Sequence, residues 1–128
     1  MATQGLVGPF MTCYDRKGER MMIRGLFAEI VDRMVAKGGA LHPSQVRAGT
    51  PYTSWITVGH DHVTPYEPEC LKLVVDELLT EAGVQVLYHT QFLRPILSGN
   101  TLTAVEVASK AGVERIEGRI FIDGTGDG

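Results

Sequence analysis

The stretch from Glu67 to His89 constrains the fold more than any other part of the chain. Leu71, Val74, Val75, Leu78, Leu79 and Ala82 recur at helical spacing and lay one apolar stripe along a helix. Glu67-Pro68 marks its start, because proline in the first helical turn has a suitable φ and lacks only an N–H that would go unused. Gly83 marks its end. The segment "GVQVLYH" follows at once and reads as an apolar strand. Helix, glycine, then apolar strand is the second half of a βαβ unit. This predicts an α/β chain, with the stripe of 71–82 covering a sheet.

A second helix is predicted from Gly25. Phe27, Ile30, Val31, Met34 and Val35 share one face, Glu29, Asp32, Arg33 and Lys37 take the other, and Gly38-Gly39 stops it. Between the helices, 40–54 reads as loop, with Pro43, Ser44, Gly49, Pro51 and Ser54 close together. "SWITVGHDHVT" then reads as two short strands around a turn at Gly59, on the β-favouring Trp55, Ile56 and Val58. Residues 1–22 show no clear period, apart from a polar turn at Arg16-Lys17-Gly18-Glu19. Near the other end, "FLRPIL", "TLTAVEVAS" and "VERIEGRIFI" predict three strands, joined by hairpin turns at 98–100 and 110–112 into a β-meander over about 93–118. The α/β expectation therefore carries some α+β character.

Composition narrows the function classes. A chain of 128 residues, 44% hydrophobic and 21% charged, is globular. A net charge of −3 and the lack of a basic stripe argue against nucleic acid as a partner. No apolar run is long enough to span a membrane, and "MATQGLVGPF" lacks the pattern of a signal peptide. Cys13 and Cys70 have no close-spaced partner, which predicts a reducing cytoplasm and no disulfide framework.

Three groups of residues are candidates for chemistry. In "RIFIDGTGDG", an apolar run at 120–122 leads into Asp123, Gly124, Thr125, Gly126, Asp127 and Gly128. Glycines there would let peptide N–H groups face a phosphate or a flat ring, with Asp127 on a sugar hydroxyl. The plainer reading is a fraying tail. The chain has no G-x-G-x-x-G. His60 and His62, at spacing two on a strand, would point to one face and could hold a divalent metal with His42, Glu67 or Glu69. The plainer reading is a solvated polar hairpin, and His89 reads equally as a packed residue. Cys13, beside Met11 and Tyr14, reads as a packed thiol more than a nucleophile, and Ser44 and Ser54 lack a G-x-S-x-G elbow. A small metal-binding protein and a non-catalytic oligomerising module therefore stand as alternatives to an enzyme.

Several stretches, in the same order, resemble an internal piece of the FAD-dependent oxidoreductases of the glutathione-reductase-like class. "MATQGLVGPFMTCYD" resembles the segment after that family's first βαβ unit, and "GLFAEIVDRMVAKGGA" its next helix. "YEPECLKLVVDELLTEAGVQVLYHT" resembles the helix and strand that return to the nucleotide-binding sheet. "RIFIDGTGDG" is similar to the strand and Thr-Gly turn near the cofactor, where the family commonly reads Ala-Thr-Gly-Asp-Gly-Asp; Gly124 stands in place of that alanine. The resemblance implies a partial FAD-binding, Rossmann-like domain over 1–39 and 67–128, with the meander as crossover connection and 40–66 belonging to a substrate-domain insertion. It implies FAD as cofactor and flavin-mediated hydride transfer in the full-length enzyme. Ala2, Thr3 and Gly5 would approach the flavin, and the backbone around Phe92 would face the adenine. Thr125, Gly126 and Asp127 would lie near the adenosine-pyrophosphate half. His60 and His62 would be placed to touch substrate. The pyrophosphate-binding G-x-G-x-x-G and the ribose-binding acid would precede this segment, so the expectation is a fragment, inactive in isolation. An apolar stripe short of sheet cover also predicts a homo-oligomer.

Overall fold

The computed structural model describes residues 14–15, 19–53, 55, 57–58 and 61–124. It divides into two compact units, 1–84 and 85–128. Its content is mixed α/β: two α-helices, two short 3-10 turns and a three-stranded antiparallel sheet.

The first unit is built on α1 (Leu26–Ala36) and α2 (Pro68–Glu81). Both helices stop where the glycines predict. In α1 the N–H of Gly38 bonds to Val35 O and that of Gly39 to Met34 O; in α2 the N–H of Gly83 bonds to Thr80 O and that of Val84 to Leu79 O. Each pair is a Schellman closure, and it needs the left-handed φ of 75° at Gly38 and 71° at Gly83. At the start of α2, Pro68 occupies the first turn and the Glu67 carboxylate accepts the Cys70 N–H at 2.6 Å.

The core corrects the expected partner of the 71–82 stripe. Val74 is fully buried against Val31 and Met34 of α1, with Phe27, Ile30, Leu71, Cys70, Tyr66 and Leu78 packed around them. Helix packs on helix. Within α1 Arg33 pairs with Glu29 at 2.7 Å; across the seam it reaches Glu81 at 2.7 Å, and Lys37 reaches Glu77 at 2.8 Å. These pairs are open to water and fix orientation more than they add stability.

Residues 40–66 leave α1 and return to α2 with their ends tied together. Ala40 and Tyr66 form an antiparallel bridge, the Leu41 N–H donates to Pro65 O, and the Glu67 N–H donates to Gly39 O at 2.7 Å. The two strands expected in "SWITVGHDHVT" are absent among the described residues. Trp55 lies in a turn and Val58 in a bend, Asp61-His62 form another turn, and Ser54, Ile56, Gly59 and His60 lie outside the description. Local bonds explain the difference. The N–H groups of Thr53 and Trp55 both go to Thr50 O, that of His62 goes to Val46 O, and Asp61 Oδ1 takes the Ala48 N–H at 2.7 Å. Donors satisfied within turns are not free for a ladder. Upstream, Tyr14 bridges Met21, and Asp15 accepts the Glu19 N–H on its side chain. Of the expected polar turn Arg16-Lys17-Gly18-Glu19, residues 16–18 lie outside the described residues.

The second unit is the meander: β1 (Gln91–Ser98), β2 (Thr101–Ser109) and β3 (Gly112–Glu117), in the order β1-β2-β3. The hairpins fall at the expected positions, with Gly99 at φ 60°. Register separates two faces. Arg94, Glu106 and Arg115 form one polar row, whereas Pro95, Val105 and Ile116 align on the opposite face. Pro95 is tolerated because β1 is an edge strand.

One expected strand does not form, and another forms only in its first half. Residues 84–87 of "GVQVLYH" are irregular and Tyr88-His89 turn, with His89 at φ 52°. The third strand of the meander ends at Glu117, so "IFI" lies beyond it. The last bond beside the ladder is Gly118 N–H to Thr103 O at 3.3 Å. Apolar residues alone do not make a strand. Neighbouring backbone must accept its hydrogen bonds, and among the described residues none runs beside either segment.

Candidate cofactor-facing site

Phe92 is the described member of the residue set that resemblance assigns to the cofactor. Ala2, Thr3, Gly5, Thr125, Gly126 and Asp127 lie outside the described residues. Phe92 sits near the start of β1, opposite Val107, and is 56% exposed. A register shift follows it, before Arg94. The ring therefore stands on an edge strand next to a bulge, a place where side chains are often re-aimed.

The approach to the terminal glycines is described as far as Gly124. Phe121 folds back on Gly118: a Cβ on that glycine would lie 3.0 Å from the ring. Ile120 and Ile122, on either side, are 82% and 90% exposed. Around Gly124 a Cβ would meet nothing within 4 Å, so backbone access there is open.

Charge on the meander is internally balanced. Arg94 holds Glu106 through two bonds, at 2.6 and 3.1 Å. That guanidinium pushes the Glu106 carboxyl below its ordinary value and has its own proton held more tightly in return. Arg115 adds a weaker pull on Glu106 and pairs with Glu117 at 3.1 Å. Thr103, Arg115, Glu117, Gly118 and Arg119 line an open cleft of about 530 Å³. Sequence reasoning missed it; the available signal was the run of alternating charge at Glu114, Arg115, Glu117 and Arg119. Both signs border the cleft, so it has no strong preference for anions.

Among the described residues, the candidate metal ligands His42, His62, Glu67 and Glu69 have other partners. His42 Nδ1 contacts Ser44 Oγ at 2.7 Å and caps the 3-10 turn Pro43–Gln45. Glu67 caps α2, and Glu69 pairs with Lys72 at 2.7 Å. His62 faces Tyr14, ring centroids 5.1 Å apart, while His60 lies outside the described residues. Among the described residues no group of three or more His, Cys, Asp or Glu is placed to hold an ion. Cys70 is a free, half-buried thiol, and Cys13 and Ser54 lie outside the described residues. No helix is long and apolar enough to cross a membrane among the described residues.

Two helices, a three-stranded meander and exposed apolar residues on either side of it define a mixed α/β chain. The family model for FAD dependent oxidoreductases matches residues 1–128, and the chain belongs to that family. No curated protein and no solved structure matches it.

Proposed function

We propose that this chain is a segment of a flavoenzyme of the glutathione-reductase-like class, contributing part of a Rossmann-like FAD-binding domain. The observation that carries the reading is the pair of apolar runs at 84–88 and 120–122. Apart from Phe121, which packs on Gly118, their residues are exposed; among the described residues neither run belongs to a strand, and they flank a complete meander. Such runs match strands whose neighbours come from elsewhere in a sheet. FAD, when bound, supplies hydride transfer, and the protein binds and orients it.

On this reading 1–39 and 67–128 belong to the FAD-binding domain. Residues 40–66 are the substrate-domain insertion, a division supported by the tie between Ala40 and Tyr66. Phe92 offers an exposed apolar ring to the adenine. Ala2, Thr3 and Gly5 take the flavin side, and Thr125, Gly126 and Asp127 the adenosine-pyrophosphate side. The described residues fit the group only in part. The start of α2 does not suit a pyrophosphate, because the Glu67 carboxylate already takes the Cys70 N–H there and would repel phosphate. A phosphate cradle has to come from the rest of the family's fold, and the isolated chain is inactive.

The test compares the chain alone with the chain fused behind a strand–GxGxxG–helix unit, each titrated with FAD and followed by flavin fluorescence and absorbance. The expected result is no stoichiometric FAD on the chain alone and a yellow, stoichiometric complex on the fusion. Tight FAD on the chain alone overturns the segment reading. A colourless, folded fusion overturns the flavoenzyme reading.

A further inference from the structure

We propose that the hydroxyl of Thr64 is a binding site for a single buried water molecule, held where the two arms of segment 40–66 lie side by side. Thr64 is fully buried. Among the described residues its Oγ1 finds no hydrogen-bond partner. A hydroxyl taken out of water without a bond costs stability that an apolar group of the same shape does not. Valine has that shape, and Val46 and Val63 of the same segment are buried to 1% and 2% exposure. A hydroxyl among such residues is explained by a partner that is not part of the chain.

The backbone places Thr64 between two ties. The Leu41 N–H donates to Pro65 O, and the His62 N–H donates to Val46 O, each at 3.1 Å. Between these ties one arm holds Val63 and Thr64, and the other holds residues 42–45. The longer arm takes up its slack in the 3-10 turn Pro43–Gln45. Arms of unequal length cannot pair residue for residue as a ladder does. Main-chain polar groups there supply the further partners that a buried water requires, about two to four in all.

Burial and chemistry select the occupant. Polar side chains of the same segment are committed elsewhere. His42 Nδ1 meets Ser44 Oγ at 2.7 Å, the Thr53 hydroxyl donates to Thr50 O at 3.0 Å, and Asp61 Oδ1 takes the Ala48 N–H at 2.7 Å. Among the described residues no group of three or more His, Cys, Asp or Glu is placed to hold a metal ion. A larger solute would have to open the segment to reach Thr64, whereas one water fits as part of the fold. The proposal does not depend on the FAD reading, because it concerns the packing of 40–66 alone and no cofactor.

The experiment uses the whole chain in water enriched in oxygen-17, whose relaxation dispersion counts water molecules that stay buried longer than the protein tumbles. Thr64→Val keeps the shape and removes the hydroxyl. It is expected to lose about one long-lived water per chain and to lower the urea midpoint, because the groups that shared the water are left unmet. Thr64→Ser keeps the hydroxyl and is expected to keep the water. A Thr64→Val midpoint equal to or above the parent's overturns the proposal, since the hydroxyl would then be an uncompensated cost. An unchanged water count in Thr64→Val also overturns it, since the partner would then be a group of the protein. A crystal structure of the parent chain gives a reading independent of both variants. A water within about 3 Å of Thr64 Oγ1 is expected, and a protein atom there, or no atom, overturns the proposal.

Discussion

Gly39 and Cys70 approach so closely that a Cβ on the glycine would overlap both the Cβ and the Sγ of the cysteine. Gly39 also ends α1 through its bond to Met34 O, while Cys70 lies in the first turn of α2. One glycine therefore terminates a helix and lets the next helix start against it. Gly39→Ala is expected to destabilise the chain by about 1–3 kcal/mol through overpacking. Adding Cys70→Gly, which removes the clashing atoms, should recover part of that loss. Urea unfolding of the two variants and the parent measures this directly. A Gly39→Ala midpoint equal to the parent's would mean that the helices do not meet at this point.

The helices and the meander were the legible part of this fold, and the reason is physical. Their signals are local: a stripe of apolar residues, a Pro68 at the start, a Gly38 or Gly83 at the stop, a Gly99 in a hairpin. The runs at 84–88 and 120–122 carry equally apolar sequence, but a strand exists only beside another backbone, and periodicity does not report that neighbour. Trp55 misled for a related reason. Its β preference gave way to bonds centred on Thr50 O, which also takes the N–H and hydroxyl of Thr53. Of the proposed cofactor residues, Phe92 is placed on an edge strand, and its assignment came from resemblance to a family rather than from any local pattern.

Phe92 provides the second prediction. Its ring is more exposed than buried, so Phe92→Ala should leave the unfolding midpoint nearly unchanged. In a fusion that supplies the phosphate cradle, the same substitution should weaken FAD binding by roughly two- to tenfold, the effect of losing one ring contact. Flavin fluorescence titration measures it. Unchanged FAD affinity with full occupancy would remove Phe92 from the adenine side.

Acid sensitivity follows from the paired carboxylates. Arg33 pulls the Glu81 carboxyl below its ordinary value of 4.5, first through their hydrogen bond, and Arg94 does the same to Glu106. A carboxyl whose folded value is depressed favours the folded state above the unfolded value. That contribution fades as pH falls through the ordinary carboxylate range and on past the lower folded value. Both pairs are solvent-exposed, so salt should shrink the effect. In Arg94→Gln the Glu106 carboxyl should titrate higher, toward its ordinary value, while Glu81 stays depressed. Carboxyl carbon NMR across an acid titration separates the two. A Glu106 midpoint that does not rise in Arg94→Gln would show that the guanidinium is not its main partner.

The final prediction concerns the uncovered apolar runs. Ile120 and Ile122 are almost fully exposed, and Val86, Leu87 and Tyr88 are exposed as well. Surface of this kind associates in water, so the isolated chain should oligomerise with rising concentration. Ile120→Lys combined with Ile122→Lys should suppress that association. The change in unfolding free energy should stay within about 0.5 kcal/mol per site, because neither side chain contributes to a core. Phe121, packed on Gly118 between them, makes the control. Phe121→Lys should disturb the chain's own packing, whereas its outward neighbours should not. Sedimentation velocity across a concentration series reads the first effect and urea unfolding the second. If the double lysine variant associates as strongly as the parent, the contact surface lies elsewhere. If it unfolds the meander, 120–122 is already structural in the isolated chain, and the case that these runs await strands from the rest of a sheet loses its main support.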